Sequence, residues 1–223
     1  MSSRPSGTAT KQRDSGSRRR QDDSPEVKLS KLLSYILRHG AAKEGLQLRD
    51  DGSIQLTTLM QHRRLQSTTF DQIKHVVDTN DKKRFTLFKD SSRDSGGQEW
   101  FIRATQGHSL KIKEPPLVKL TPETMPATVI HGTTKAKLPL IQEQGLSRMS
   151  RTHIHFATGL VGEKGVVSGM RKTANAFIYI NTPMAVRDGI EFFTSENGVV
   201  LSRGLNDSGV IPAKYFAKVE LHE

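Results

Sequence analysis

The chain has 223 residues, room for one large or two small cored domains, and only 34% of them are hydrophobic. It has no cysteine, which excludes a disulfide framework, a thiolate nucleophile and thiolate-bound zinc; no apolar run nears the roughly 20 residues of a membrane span, and no hydrophobic leader opens it. Thirty-four Lys and Arg against 23 Asp and Glu give a net charge of +11, a field that attracts polyanions such as nucleic acid, so the chain reads as an intracellular protein of the nucleus and/or cytoplasm.

Residues 1–24 are rich in Ser, Arg, Gly and Asp and read as a disordered basic tail. Arg18-Arg19-Arg20 within it is read as solvated, with a nuclear address or an RNA-grazing arm as alternatives. Ser24-Pro25 then supplies a cap and first turn for a helix. Leu29, Leu32, Leu33, Ile36 and Leu37 recur at the spacing of one buried face. At 100° per residue Arg38 falls opposite that stripe, with Tyr35 and His39 on the flank, and "LRHG" ends the helix on Gly40. A cation near a helix C-terminus gains roughly 0.3–1 kcal/mol from the dipole. That accounts for one charge, but not for an Arg-His pair.

"DDGSIQLTTLM" (50–60) reads as a turn, a short strand and the start of a helix, and "TFDQIKHVVDTN" (69–80) as a further helix. "KRFTLF" (83–88) and "QEWFIRA" (98–104), separated by the turn sequence "KDSSRDSGG", form a hairpin. Residues 25–113 are thus expected to make a winged-helix-like module. "KEPPLVKLTPETMP" carries four prolines, so 114–126 is expected to be a linker. From 127 to 223 short strands dominate: "TVIHGT", "THIHFA", "AFIYI", "GVVLS" and "YFAKVEL". The one clear helix there, "KAKLPLIQEQGL", is capped by Gly145. The fold class is α+β.

No P-loop, Rossmann glycine motif or H-E-x-x-H occurs, and no metal site is expected. In "DKKRFTLF" Arg84 and Thr86 share one strand face, with Phe85 and Leu87 on the other. In "SRMSRTHIHFA", Arg151, His153 and His155 alternate onto one face opposite Ile154 and Phe156. Like charges in such a row repel, and an anionic ligand would relieve the repulsion. In "VIHGT", Gly132 allows close approach to the backbone, between an imidazole and a hydroxyl.

"LSYILRHG", "DKKRFTL", "IRATQGHS", "IHGT", "RTHIHFA" and "SGMR", in this order and at this spacing, resemble the RNA 2′-phosphotransferase family. The resemblance runs from about residue 28 to the C-terminus. It implies a winged-helix RNA lobe joined to an NAD-binding lobe of the ADP-ribosyltransferase fold, acting as a monomer. It implies removal of the splice-junction 2′-phosphate of tRNA, or of another RNA bearing an internal 2′-phosphate, with NAD⁺ consumed and no metal. In that chemistry the 2′-phosphate attacks C1″ of the nicotinamide ribose and expels nicotinamide. The 2″-hydroxyl then attacks the phosphate, giving 2′-OH RNA and ADP-ribose 1″,2″-cyclic phosphate.

The resemblance also assigns roles. Arg38, His39, Arg84 and Arg151 are the catalytic set gripping the phosphates, as Arg suits phosphate bidentately and stays charged; His39 is assigned a proton in the second step. His131, Gly132 and Thr133 hold NAD⁺, with His155 at the nicotinamide and His153 as the alternative, and Arg171 is a further NAD⁺ contact. RNA contacts fall on Arg38, His39, Lys82, Arg84 and Arg103. Related transferases carry an acceptor-activating Glu on the strand of "SENGVVL", where the nearest carboxylate is Glu196; a phosphate needs no base to become a nucleophile. Thr105 stands where the family pattern has Asn, which bears on an RNA contact. Glycines of "TGLVGEKGVVSG" suggest a mobile cover or an ordinary surface loop. The alternatives are a transferase that caps terminal phosphates of nucleic acid with ADP-ribose, and a non-catalytic winged-helix RNA-binding protein.

Overall fold

The computed structural model describes residues 23–90, 98–113, 115–160, 162, 163, 166, 169–171 and 173–222. All but the last two residues of the tail expected over 1–24, the hairpin tip at 91–97 and part of the glycine-bearing 158–169 segment lie outside the described residues.

Helix α1 (Pro25–Tyr35) starts where expected, with the Ser24 hydroxyl accepting from Val27 N–H and Pro25 in the first turn. The winding does not stop at Gly40. It passes through a π-type turn (Ile36–Gly40) and a 3₁₀ turn (Ala41–Glu44), and ends on Gly45, whose φ of 73° is the left-handed cap. Gly40 is needed for contact: a Cβ there would lie 2.5 Å from the Tyr35 ring. Strand β1 (Ile54–Gln55) runs into α2 (Leu56–Met60). Helix α3 (Phe70–Asp78) opens on a full capping box between Thr69 and Gln72. The hairpin β2 (Phe85–Asp90) and β3 (Glu99–Ala104) pairs Phe85 with Ala104 and Thr86 with Arg103, and β1 joins its other edge in the order β1-β3-β2. Leu33, Ile36, Leu37, Leu59, Ile73, Phe85 and Ile102 form one buried cluster confined to residues 33–104. Burial of each such side chain is worth roughly 1.5–3 kcal/mol.

The proline-rich stretch is not bare linker. It carries β4 (Val118–Lys119), and the next residue, Leu120, is buried in a second cluster spanning residues 120–215. After β5 (Ile130–Thr133) come α4 (Leu138–Gln144), β6 (Leu146–Ser147), β7 (Ile154–Phe156) and β8 (Ala176–Ile180). A helix that hydrophobic pattern alone did not suggest, α5 (Thr182–Arg187), is capped by Asn181 with Pro in its first turn. Strands β9 (Phe192–Thr194), β10 (Val200–Ser202), β11 (Val210–Ile211) and β12 (Phe216–Leu221) complete three antiparallel sheets, ordered β4-β9-β10-β7, β11-β6 and β12-β8-β5. Two backbone bonds between Ile130 and Ala157 (2.9 and 2.8 Å) stitch β5 to the end of β7. The chain is therefore α+β, built on several small antiparallel sheets.

Candidate active site

Arg38 and His39 sit in the π-type turn, where hydrogen bonds to the fifth residue slow the angular advance along the helix. Arg38 lies outside the Leu33–Ile36–Leu37 core, as the 100° rule placed it, yet it is not left open to solvent. The loop Gln106–Ser109 folds over it: the Arg38 carbonyl accepts from Ser109 N–H (2.9 Å) and Leu110 N–H (3.2 Å). Gly107, at φ 88°, brings its backbone against the guanidinium, where an added Cβ would lie 3.6 Å from Arg38 Nε and Cζ. Arg38 Nε and Nη2 are buried without a hydrogen-bond partner among the described residues. Burial, and then the positive charges of Arg84 and Arg151, push the guanidinium down to about 10. A buried cation facing only cations carries an uncompensated desolvation cost. An anion would remove it.

Arg84 directly precedes β2. Its N–H and its Nη1 both donate to Asn80 Oδ1 at 3.2 Å. Arg151 is not part of a strand: it belongs to a turn closed by Arg151 N–H to Arg148 O (3.2 Å), and β7 begins only at Ile154. The strand expected over 151–155 is thus confined to Ile154–Phe156, and His153 and His155 are both 7% exposed. Burial, then Arg171, lowers the Arg151 guanidinium. Arg38, Arg84 and Arg151 come from three separate segments and share one field.

The histidines are held neutral. His39 Nδ1 lies 2.9 Å from Ser109 Oγ, and burial, Arg38 and Arg151 depress its pKa. His131 Nδ1 donates to the His155 carbonyl at 2.9 Å, which leaves its Nε2 as the unprotonated nitrogen. Burial is the main cause of its lowered pKa. His155 has a buried Nε2 without a partner, and burial with Arg151, His153 and Arg38 drives it well below its ordinary value. His153 is engaged at both ring nitrogens, by Thr152 Oγ1 (2.9 Å) and by Arg203 Nε–H (3.4 Å), and burial and Arg203 bring it to about 4. His108, whose Nε2 is also buried and unpartnered, is brought to about 4 by burial and the Arg38 charge.

Other candidates fall elsewhere. Arg103 pairs with Asp51 (3.1 Å) and Glu196, and stacks 4.6 Å over the Phe88 ring. Its charge is already matched. Gly132 does not open onto empty space, because the Met170 side chain fills it and a Cβ would meet Met170 Cγ at 2.3 Å. Thr133 is buried, and its carbonyl accepts from Asn175 N–H. Arg171 is exposed and reaches the site through its effect on Arg151. Glu196 lies in the turn between β9 and β10 and binds Thr86 and Arg103. Thr105 is 3% exposed and donates to the Lys83 carbonyl at 3.1 Å, a structural duty inside the protein.

A cleft of about 1110 Å³ leads away from Arg38, His39 and Arg84, lined by Ser30, Ser34, Tyr35, Asn80, Lys82 and Met170 among others. His108, Ser109, Asn80 and Asn197, which touch the site or its supports, were not singled out from sequence. Only the glycine in "TQGHS" hinted at a close approach.

The family model described as RNA 2′-phosphotransferase, Tpt1/KptA family, matches residues 24–204. The tRNA 2′-phosphotransferase 1 of Bos taurus is 47% identical over 197 residues, which is 88% of this chain and 76% of that protein. The tRNA 2′-phosphotransferase of Saccharomyces cerevisiae is 39% identical over 194 residues, 83% of this chain and 82% of that protein. A relative from Schizosaccharomyces pombe is 41% identical over 216 residues, 96% of this chain but 57% of that longer protein.

Proposed function

The chain belongs to the RNA 2′-phosphotransferase, Tpt1/KptA family and is a transferase of that class, and from this premise we propose that it removes the internal 2′-phosphate of tRNA by transfer to NAD⁺. The observation that carries the reading is Arg38: a buried guanidinium with two nitrogens that have no partner among the described residues, where the charges acting on it are those of Arg84 and Arg151. Such a site is completed by a phosphate dianion. The three planar cations hold it, and they are positioned to neutralise charge that grows on phosphorus during transfer, an effect of roughly 3–4 kcal/mol per well-placed donor. His39, neutral at pH 7 and oriented by Ser109, is available to take a proton.

The donor set fits NAD⁺. His155 Nε2 is buried without a partner, and His131 presents an unprotonated Nε2 once Nδ1–H is spent on the His155 carbonyl. His131 and His155 would hold the co-substrate, with Arg151 and Arg171 toward its pyrophosphate; a role for Gly132 and Thr133 requires the Met170 side chain to move aside. His153, engaged at both nitrogens, is the weaker choice for the nicotinamide. NAD⁺ supplies the ribose that accepts the phosphate. Glu196 is tied to Thr86 and Arg103, which supports a nucleophile that needs no carboxylate base.

The order α1-β1-α2-α3-β2-β3 supports reading residues 25–113 as a winged-helix-like RNA lobe. Residues 127–223 then form an NAD-binding lobe of the ADP-ribosyltransferase type, with Lys82 extending the RNA-facing cleft. The test is incubation with an oligonucleotide carrying an internal 2′-phosphate and NAD⁺, without added metal. Loss of the phosphate with release of ADP-ribose 1″,2″-cyclic phosphate is expected. A stable ADP-ribosylated strand, or RNA binding without NAD⁺-dependent change, would overturn the reading.

A further inference from the structure

Arg84 leaves a turn whose backbone is not at rest. Lys83, just before it, has φ 42°, in the left-handed region that non-glycine residues adopt only when their surroundings enforce it. Most of the enforcement is local to the hairpin and α3. Asn80 O accepts from Lys83 N–H (2.8 Å), and Thr105 contributes its hydroxyl to Lys83 O and its N–H to Arg84 O (3.0 Å).

One contact comes from the distant end of the chain. The Lys82 carbonyl accepts from Asn197 Nδ2 at 2.9 Å. Asn197 is 6% exposed, and its Oδ1 accepts from Ser195 Oγ at 2.8 Å, so the amide is fixed in orientation. Its neighbour Glu196 accepts from Thr86 Oγ1 at 2.7 Å and pairs with Arg103, the residue opposite Thr86 in the hairpin. Two consecutive residues of the β9–β10 turn thus hold the chain at Lys82 and at Thr86, with Arg84 midway between.

We propose that Asn197 is a positioning residue for the phosphate grip: the β9–β10 turn, with Asn197 on Lys82 and Glu196 on Thr86, sets the direction in which Arg84 meets Arg38 and Arg151. Asn197 acts through Arg84 and touches no reacting group. The proposal rests on the reading of Arg84 as a phosphate ligand. It goes beyond that reading in making the geometry of the grip depend on a contact from the far side of the sequence. Register within β2–β3 alone would fix the strand but not the turn before it.

The test is a double-mutant cycle read by fluorescence anisotropy, without NAD⁺, on two otherwise identical RNA oligonucleotides, one carrying the internal 2′-phosphate. The readout is the preference for the phosphorylated strand, which a general loss of stability would not move. Asn197→Ala is expected to cut that preference about 10-fold, and to cut nothing further in an Arg84→Ala background, because coupled residues are non-additive. An equal cut in both backgrounds, or a preference unchanged by Asn197→Ala, would overturn the proposal. Should Asn197→Ala fail to fold, the same cycle with Glu196→Ala decides it by the same criterion. A wild-type protein with no preference would overturn the reading of the grip itself, and the proposal with it.

Discussion

Arg38→Met should make the protein more stable while destroying its activity. The substitution keeps a long unbranched stem and removes the charge. A guanidinium held at about 10 instead of 12.5 has lost about 3 kcal/mol of preference for its charged form. Because the folded value lies below the unfolded one, this group adds stability only as pH climbs through about 10 to 12.5. Below that range both states are charged and the cost is constant. The gain from Arg38→Met should therefore be the same at pH 6.5 and 8.5. Some of the 3 kcal/mol is lost with the packing of the stem. Since 1 kcal/mol shifts the melting temperature by about 2–4 °C for a chain of this size, a rise of about 3–6 °C is expected.

Thermal unfolding with and without inorganic phosphate completes the test. Phosphate at about 100 times its Kd stabilises by about 2.7 kcal/mol, so the wild type should gain about 5–10 °C and the variant almost nothing. A variant that melts at or below the wild type without phosphate, and gains as much with it, would refute the idea that the site is strained by unmatched charge.

Arg151→Ala should lower kcat on 2′-phosphorylated RNA by about 100- to 1,000-fold, as loss of one charge-stabilising donor does elsewhere; single-turnover kinetics would measure it. His108 and His153, at about 4 when folded against 6.5 unfolded, bind fewer protons in the native state between those values. Stability should therefore fall as pH drops from about 6.5 to 4, by up to about 3 kcal/mol for each histidine, and His153→Asn should flatten that slope in urea titrations. Arg38→Lys should introduce a new alkaline limb in the activity profile. The burial that lowers the guanidinium would also lower a lysine from its ordinary value, so the variant should lose activity on the alkaline side while the wild type stays level.

What could be read from the sequence was what depends on neighbours in the chain. The helix opening at Thr69, the β2–β3 hairpin and the Gly145 cap follow from local rules and appear as expected. One local rule held in part and another failed. The 100° period put Arg38 outside the buried face, but the helix expected to end at Gly40 winds on through a π-type turn to Gly45. The alternation over Arg151, His153 and His155 assumes a strand, but turn bonds hold Arg151 outside β7. Asn80 and Asn197 matter only through the carbonyls and guanidinium they reach, and no spacing in the sequence encodes contacts 115 residues apart.

The same environment lowers both kinds of basic group but leaves them in different charge states, and this divides their work. Desolvation and mutual repulsion lower the pKa of Arg38, Arg151 and the histidines around them, yet Arg38 starts so high that at about 10 it is still fully charged at pH 7. The histidines start near 6.5, and the same forces leave them uncharged. One field therefore yields permanent cations beside neutral imidazoles. The arginines can grip a dianion at any physiological pH, while His39, His131 and His155 remain able to accept a hydrogen bond or a proton. A grip made of histidines would be neutral before the phosphate arrived. Arginines alone would hold phosphate but offer nothing to receive a proton. Arg38, Arg84 and His39 line one cleft, and among the described residues the charges acting on Arg38 are those of Arg84 and Arg151, which supports the proposal that a phosphate completes the site.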